Sequence, residues 1–309
     1  MSVLRGTLLA ASRNAWLREH ATRYGFMRRT VRRFLPGETA EEALVAARSL
    51  AESGLFTVLT RLGENIKNRE EAAEGTQHYL GVTERIAADR LPVEISVKLT
   101  QLGLDLDPEF CYANLETIIR ATPLEKTLWI DMEQSPYVDP ALELYRRARM
   151  AFANVGICVQ AYLYRTEKDL GALISMGAAV RLVKGAYNEP AEIAYPRKRD
   201  VDKNYLHLSQ RLLSPEARKA GVRAALATHD KKLIEQLLAW SAGQGIPRNR
   251  VEFQMLFGIQ SSEQLRLARE GCRSGVLISY GQHWYPWFMR RLAERPANLL
   301  FLMRNFFSR

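Results

Sequence analysis

The sequence predicts an α/β protein, a (β/α)8 barrel of the TIM type, from three observations. Eight short apolar runs alternate along the chain with segments that are long enough for a helix and a turn. Near-continuous apolar runs are typical of parallel strands that are covered by helices on both faces. No Gly-x-Gly-x-x-Gly or Walker loop follows any run, which argues against an open dinucleotide-binding sheet. Eight such strands in about 250 residues favour a closed barrel.

The chain begins with a predicted N-terminal helical extension, assigned to residues 1–50. Apolar residues recur there at helical spacing, and Thr39 with Glu42 three residues later forms a capping box that starts a helix running to Leu50. Residues 51–309 are assigned to the barrel, with a C-terminal helix capping its mouth. The strand candidates are 55–59, 93–99, 127–131, 156–161, 179–184, 222–228, 251–256 and 275–280.

The net charge of +10 belongs to the two ends of the chain. Residues 1–37 carry +7 and residues 284–309 carry +4, whereas the 246 residues between them carry −1. A neutral body argues against a nucleic-acid partner. The basic ends are interpreted as solvated helix faces, with peripheral contact with an anionic membrane surface as the alternative.

Composition and cysteine usage restrict the class of protein further. No apolar run approaches the roughly 20 residues that cross a bilayer. The three cysteines are far apart in sequence and form neither a disulfide framework nor a metal-ligand cluster. We therefore expect a soluble cytoplasmic protein, with the inner face of the cytoplasmic membrane as the surface for any peripheral contact. The oligomeric state stays open.

Polar side chains stand where six of the predicted strands end. The carboxyl ends of barrel strands converge on one mouth, where barrel enzymes carry their chemistry. One polar site therefore explains the pattern better than six independent surface groups. The strand-end residues are Lys98, Asp131, Glu133, Gln160, Arg181, Lys184, Thr228, His229 and Gln254.

The segment after the last strand carries an arginine pair beside aromatic residues. Trp287, Arg290, Arg291 and Glu294 share one face of a helix because they are spaced i, i+3, i+4 and i+7. Adjacent guanidinium groups bind a carboxylate or phosphate through paired hydrogen bonds. The pair is interpreted as an anion clamp, and an Arg290–Glu294 ion pair on a solvated helix is the alternative.

The residues themselves favour an organic cofactor. The five histidines are scattered and have no metal-ligand spacing, so no metal site is expected. No local signature of a serine or cysteine nucleophile is present. A site rich in arginine, lysine, amide and aromatic groups is typical of enzymes in which a bound organic cofactor carries out the reaction.

These motifs resemble those of the proline dehydrogenases, the flavin-dependent barrel enzymes that oxidise L-proline. The resemblance runs over residues 38–309, and the basic helical start resembles the short bacterial single-function members. Its motifs are residues 97–100 (Val-Lys-Leu-Thr), 130–133 (Ile-Asp-Met-Glu), 160–162 (Gln-Ala-Tyr), 181–187 (Arg-Leu-Val-Lys-Gly-Ala-Tyr), 227–229 (Ala-Thr-His), 252–254 (Glu-Phe-Gln) and 290–296 (Arg-Arg-x-x-Glu-Arg-Pro).

The resemblance implies roles for individual residues. Arg290, Arg291 and Lys98 match the groups that hold the substrate carboxylate, and Glu64 matches a glutamate that pairs with the first arginine to close the site. Arg181 matches the arginine near flavin N5. Residues around the substrate ring correspond to Asp131, Tyr187, Leu256, Tyr280 and Trp287. Residues that contact FAD correspond to Gln160, Arg181, Lys184, Gly185, Ala186, Thr228, His229, Gln254 and Glu294.

The implied reaction is hydride transfer from L-proline to flavin N5, which gives Δ1-pyrroline-5-carboxylate and starts proline catabolism. The implied electron acceptor is a membrane quinone. One departure concerns the substrate, because Trp287 stands where the family usually has tyrosine. A larger ring without a hydroxyl predicts poor acceptance of hydroxyproline, and the alternative is a dehydrogenase of another cyclic imino acid, such as hydroxyproline itself. A second departure is Asn188, where some members place a tryptophan over the flavin.

Two other classes remain as alternatives. A flavin-dependent folate reductase uses a similar barrel, but it requires a nicotinamide site and has no need of paired arginines. A basic nucleic-acid-binding module is supported by net charge alone.

Overall fold

The barrel follows from eight strands whose faces are both buried. The computed structural model describes residues 31–63, 66–285 and 288–289. Its strands form one closed, entirely parallel barrel in sequence order. All eight predicted strands are confirmed, with ends that differ by at most two residues. The strands are β1 Phe56–Arg61, β2 Val93–Val97, β3 Leu128–Ile130, β4 Val155–Gln160, β5 Ala179–Val183, β6 Arg223–Ala227, β7 Glu252–Leu256 and β8 Arg273–Tyr280.

Helices connect the strands and cover the outside of the barrel. In the described part of the chain, short 3-10 turns lie at Leu99–Leu102, Ser135–Tyr137 and Arg248–Arg250. Among the described residues no helix is both long enough and apolar enough to cross a membrane. The α-helices are α1 Ala40–Glu52, α2 Arg69–Ala88, α3 Pro108–Ala121, α4 Val138–Ala151, α5 Thr166–Ser175, α6 Lys198–Leu212, α7 Pro215–Lys219, α8 Lys231–Gly243 and α9 Ser261–Arg269.

Helix α1 belongs to the wall of the barrel. The predicted capping box is confirmed: the Thr39 N–H donates to Glu42 Oε2 at 3.0 Å, and the Glu42 N–H donates to Thr39 Oγ1 at 3.2 Å. The helix packs on β1 and β8 through Ala43, Leu44 and Ala47, which are fully buried. It thereby covers the outside of the barrel between the last strand and the first. Residue 50, the predicted domain boundary, lies inside this helix.

A small second core lies at the carboxyl end of the barrel. It unites residues before α1, after β1 and after β8, and its members are Val31, Phe34, Leu35, Leu62, Trp284, Tyr285, Phe288 and Met289. Gly258 in the β7–α9 loop has φ +72°, and a Cβ there would fall 1.7 Å from the carbonyl oxygen of Arg33. Only glycine allows the amino-terminal segment to cross this loop. The predicted capping helix beyond Met289 and the extension before Val31 lie outside the described residues.

The lower half of the barrel interior holds a buried ionic network. Arg223 donates to Glu94 at 2.6 Å and to Glu252 at 3.0 Å, and the Trp129 indole N–H donates to Glu94 at 2.7 Å. Arg273, whose half-exposed side chain stands at the start of β8, also donates to Glu252, at 3.1 Å. We refer to Glu94, Trp129, Arg223, Glu252 and Arg273 as the interior network. It occupies the barrel interior below the carboxyl ends of the strands.

Candidate active site

A cavity of about 570 Å³ opens at the carboxyl ends of the strands. Barrel enzymes carry their sites at this end, because the loops that follow the strands converge there. A volume of this size lies within the range of ligand pockets, about 300–1,000 Å³. Most of the sequence-predicted site residues line the cavity: Lys98, Asp131, Gln160, Arg181, Lys184, Gly185, Ala186, Tyr187, Thr228, His229, Gln254 and Leu256.

A buried ion pair forms the floor of the cavity. Arg181 on β5 is 2% exposed, and its Nη1 donates to Asp131 Oδ1 at 2.9 Å. Asp131 follows β3, so the pair spans β4 and joins strands that are not neighbours. Ser96 on β2 takes part as well, since its hydroxyl donates to Asp131 Oδ1 at 2.7 Å and accepts from Arg181 Nη1 at 3.0 Å. A charge buried this deeply is tolerated because it is paired and hydrogen-bonded.

Arg181 still has hydrogen-bonding capacity. The Trp129 ring lies below it, with the guanidinium carbon 4.6 Å from the ring centroid. Its Nε and Nη2 are buried and have no hydrogen-bond partner among the described residues. Unpaired buried donors are costly, so they indicate a place where a ligand supplies acceptors. A fixed cation with open N–H groups suits a group that gains negative charge during a reaction.

A second set of charges lies on another wall of the cavity. Lys184 donates to Asp202 at 2.5 Å and to Asp230 at 3.2 Å, and Lys198 contacts both of these carboxylates. Burial by itself favours the neutral acid, but the charges of Lys184 and Lys198 outweigh it and lower the pKa of the Asp230 carboxyl. The lowered pKa keeps Asp230 ionised at neutral pH, and this cluster of ammonium and carboxylate groups can bind the phosphate and hydroxyl groups of a nucleotide.

Two amides and an imidazole present fixed hydrogen-bonding groups to the cavity. Gln160 Nε2 donates to the Glu133 carbonyl oxygen at 2.8 Å, and Gln254 Nε2 donates to Glu252 Oε1 at 2.8 Å. Gln254 Oε1 is buried without a partner among the described residues. His229 Nε2 accepts from the Leu256 N–H at 2.9 Å, which places the proton of the neutral ring on Nδ1. These residues offer acceptors and donors in set directions.

The cavity contains a thiol, but the thiol is inert. Cys158 on β4 lines the wall and is 5% exposed. Burial raises the pKa of this thiol to about 12. A thiol that stays protonated at neutral pH is a poor nucleophile, so Cys158 acts as an apolar wall group.

Gly185 brings the β5 loop close to Tyr162. Its φ is +113°, and a Cβ at this position would lie 2.4 Å from the Tyr162 ring. Both residues line the cavity, and the Tyr162 N–H donates to the carbonyl oxygen of Lys184 at 2.9 Å. Glycine is required here both for the backbone conformation and for the close approach.

We expect Gly185→Ala to impair ligand binding at this site, because the added methyl group pushes the loop and the Tyr162 ring into new positions. Gly221→Ala is the matched control, since Gly221 has φ +82° and nothing lies within 4 Å of its added Cβ. The backbone strain is then similar, at about 1 kcal/mol. Isothermal titration with FAD checks the expectation: weaker binding for Gly185→Ala alone supports it, and equal binding by the two variants contradicts it.

The structure does not bring Tyr280 into the cavity, which corrects its expected place beside the substrate ring. Side chains alternate along β8, and Leu277 and Ser279 line the cavity. Tyr280 therefore faces outward, where its hydroxyl lies 2.8 Å from His78 Nε2 on α2. Burial lowers the pKa of His78 to about 4, with a further contribution from Arg61, so this ring is neutral at pH 7.

Several expected site residues lie outside the described part of the chain. They are Glu64, Trp287, Arg290, Arg291 and Glu294. The anion clamp and the gate therefore stay predictions. Their nearest described neighbours are Gly63, Tyr285, Phe288 and Met289, the last three of which are buried in the second core.

Other residues of the site were given no role from the sequence. Ser96, Trp129 and Glu252 face the barrel interior beneath the predicted residues, and Asp202 and Asp230 pair with Lys184. One signal was available for the first group. Side chains two positions apart on a strand share a face, so Lys98 implies Ser96, Asp131 implies Trp129 and Gln254 implies Glu252.

Comparisons with known proteins identify the family of this chain. Residues 43–304 match the family model described as proline dehydrogenase. The chain is 36% identical to proline dehydrogenase 2 of Bacillus subtilis subsp. natto over 306 residues, which cover 99% of each chain. It is 36% identical to proline dehydrogenase of Deinococcus radiodurans over 279 residues, 88% of each chain.

A solved structure shows the same fold. Proline utilization A of Bdellovibrio bacteriovorus, inactivated by N-propargylglycine, superposes with a TM-score of 0.80 at 24% identity. The match covers 99% of this chain and 38% of that longer one. With a family model that matches most of its length and relatives of similar size above 30% identity, this chain belongs to the proline dehydrogenase family.

Proposed function

We propose that this protein oxidises L-proline to Δ1-pyrroline-5-carboxylate with FAD as its cofactor, as the first step of proline catabolism. The observation that carries the proposal is the Arg181–Asp131 pair on the cavity floor, with two guanidinium nitrogens left open to a ligand. Family membership supports the reaction, and the FAD dependence of the family supports the cofactor.

The cavity residues fit a flavin nucleotide. The open donors of Arg181 and the open acceptor of Gln254 match a ring system that has both acceptors and an N–H group. The cluster of Lys184, Lys198, Asp202 and Asp230 matches a charged diphosphate and a ribose on another wall. FAD, when bound, supplies the hydride acceptor for the oxidation.

The protein would then orient the substrate. We propose that Lys98, together with Arg290 and Arg291, binds the carboxylate of proline, and that Glu64 closes the site by pairing with Arg290. Asp131, Tyr187, Leu256 and Trp287 would surround the pyrrolidine ring. Fixing the ring at two ends leaves one carbon beside its nitrogen free to react, and such positioning can lower a barrier by several kcal/mol.

The remaining candidates are assigned to FAD. Arg181, the proposed catalytic residue, would stabilise negative charge on the reduced cofactor. The other assigned contacts are Gln160, Lys184, Gly185, Ala186, Thr228, His229, Gln254 and Glu294. Glu294 lies outside the described residues, and the others line the cavity. Tyr280 is omitted because it faces away from the cavity.

We further propose that electrons pass to a quinone at the inner face of the cytoplasmic membrane, with the basic chain ends as docking segments. The support is the charge distribution, +7 over residues 1–37 and +4 over residues 284–309. Each basic residue near an anionic surface contributes about 1 kcal/mol to binding. Co-sedimentation with vesicles of anionic lipid, but not with neutral ones, is the expected result, and equal binding to both would contradict docking by charge.

The first test is the visible spectrum of the purified protein before and after anaerobic addition of L-proline. A flavin band that bleaches with L-proline supports the cofactor and the reaction together. If the band bleaches only with hydroxyproline or another cyclic imino acid, the protein is a flavoenzyme with a different substrate. This outcome would point to Trp287 as the cause of the difference. Absence of a flavin band even after addition of FAD contradicts the proposal.

A further inference from the structure

Ser96 joins the two charged groups of the cavity floor, although it is not among the residues assigned to substrate or cofactor. Its side chain is fully buried on β2, between Asp131 after β3 and Arg181 on β5. The three groups close a triangle: 2.7 Å from Ser96 Oγ to Asp131 Oδ1, 3.0 Å from Arg181 Nη1 to Ser96 Oγ, and 2.9 Å from Arg181 Nη1 to Asp131 Oδ1.

The proton of the Ser96 hydroxyl has a fixed place in this triangle. A guanidinium only donates hydrogen bonds, and an ionised carboxylate only accepts them. The hydroxyl must therefore accept from Arg181 and donate to Asp131. Linked bonds of this kind polarise one another and gain strength inside a protein. Ser96 thus extends the direct ion pair by a second bridge of definite direction.

The triangle also determines which part of Arg181 stays open. Nη1 carries both protein hydrogen bonds, and the Trp129 ring supports one face of the guanidinium at 4.6 Å. Trp129 is itself held by its indole N–H bond to Glu94. With one edge bonded and one face supported, Nε and Nη2 remain the nitrogens without partners among the described residues.

We propose that Ser96 is a positioning residue that sets the orientation of the Arg181 guanidinium toward the cofactor and the reacting carbon. It acts through Arg181 and Asp131. This inference rests on the proposed function. Without the hydroxyl, Nη1 loses an acceptor and Asp131 loses a donor, so the guanidinium and the carboxylate gain rotational freedom where small displacements are costly.

The experiment compares Ser96→Ala with Ser241→Ala. Both serines are buried, but Ser241 lies on α8, away from the residues that line the cavity, and its Oγ has no hydrogen-bond partner among the described residues, so its loss leaves the triangle intact. Anaerobic stopped-flow mixing with L-proline gives the limiting rate of flavin reduction and the apparent Kd for proline. Spectroelectrochemistry on the same samples gives the midpoint potential of the bound FAD.

We expect Ser96→Ala to lower the limiting rate about tenfold, with the Kd for proline changed less than about twofold. The midpoint potential becomes more negative, because a less well placed cation stabilises the reduced flavin less. Ser241→Ala keeps the wild-type rate and potential. Equal rates and potentials for the two variants overturn the inference, even if Ser96→Ala lowers the melting temperature.

Two further outcomes are separated by the design. If Ser96→Ala does not fold, Ser96→Cys replaces it, because a thiol is a weaker donor of similar size. A slower flavin reduction and a more negative midpoint potential than in the wild type support the inference, and wild-type values for both overturn it. If the wild-type flavin is not reduced by any cyclic imino acid, the proposed function itself fails, and the inference falls with it.

Discussion

Replacing Arg181 by methionine should lower the rate of flavin reduction by L-proline by about 10²–10³-fold. Methionine matches much of the volume of arginine but offers no hydrogen-bond donor. The change removes the buried cation, with its two open nitrogens, from the cavity floor and leaves Asp131 without its ionic partner. Stopped-flow reduction of the reconstituted enzyme measures the loss.

The same variant should be less stable than the wild type. Arg181 and Asp131 are 2% and 19% exposed, and breaking a buried pair by removing one partner costs about 3–5 kcal/mol. The double variant Arg181→Met, Asp131→Leu removes both charges and serves as the control. It should regain most of the stability while flavin reduction stays slow. Recovery of the rate in the double variant would contradict a direct role for Arg181.

Replacing Arg223 by methionine should produce the largest loss of stability in the barrel interior, about 3–5 kcal/mol at neutral pH. Arg223 bridges Glu94 and Glu252, whose side chains are 6% and 3% exposed. Its removal leaves two buried carboxylates, with Arg273 as the remaining ionic partner of Glu252 among the described residues. Urea unfolding monitored by circular dichroism measures the change.

The pH dependence of that loss is diagnostic. Burial by itself favours neutral Glu252, but Arg223 outweighs it and lowers the pKa of the carboxyl below its ordinary value of 4.5. In the wild type this group therefore stabilises the fold above about pH 4.5, and the contribution is lost as the pH falls through the lower folded value. In Arg223→Met the desolvated Glu252 carboxyl takes up a proton more readily. Acidification from neutral pH toward about pH 5 should therefore reduce the difference in unfolding free energy between the wild type and the variant.

An exposed arginine provides the comparison. Arg48 contacts Glu41 and Asp89 on the surface, where solvent screens the charges. Arg48→Met should unfold at nearly the wild-type urea concentration at every pH. A loss of stability as large as that of Arg223→Met would show that the general loss of an arginine, and not the buried network, is responsible.

Much of the site could be predicted because its signals are local. An apolar run ending in Lys98, Asp131 or Arg181 shows in sequence both a buried strand and its polar end, and parallel strands in a barrel bring those ends together. The capping box of Thr39 and Glu42 is local as well, since it lies within one helical turn. Such patterns need no knowledge of distant contacts.

Tyr280 was assigned to the substrate ring through the family resemblance, and the local strand pattern could not test that assignment. Strand β8 was predicted with its correct end. Whether its last side chain points into the barrel or outward depends on which alternate residues of the strand face the interior. A change of one residue moves a side chain to the other face of a sheet. In the structure Ser279 lines the cavity and Tyr280 packs beside His78.

The sequence by itself determined the barrel, the order of its strands and the polar residues at their ends, because burial and turn formation act over a few residues. Only the tertiary structure decided which charges meet. Arg181 joins Asp131 across an intervening strand, with Ser96 completing the triangle, and Arg223 joins Glu94 from 129 positions away. It also decided that α1 covers the barrel between β8 and β1. These contacts depend on barrel closure and strand register, which arise from the packing of the whole chain.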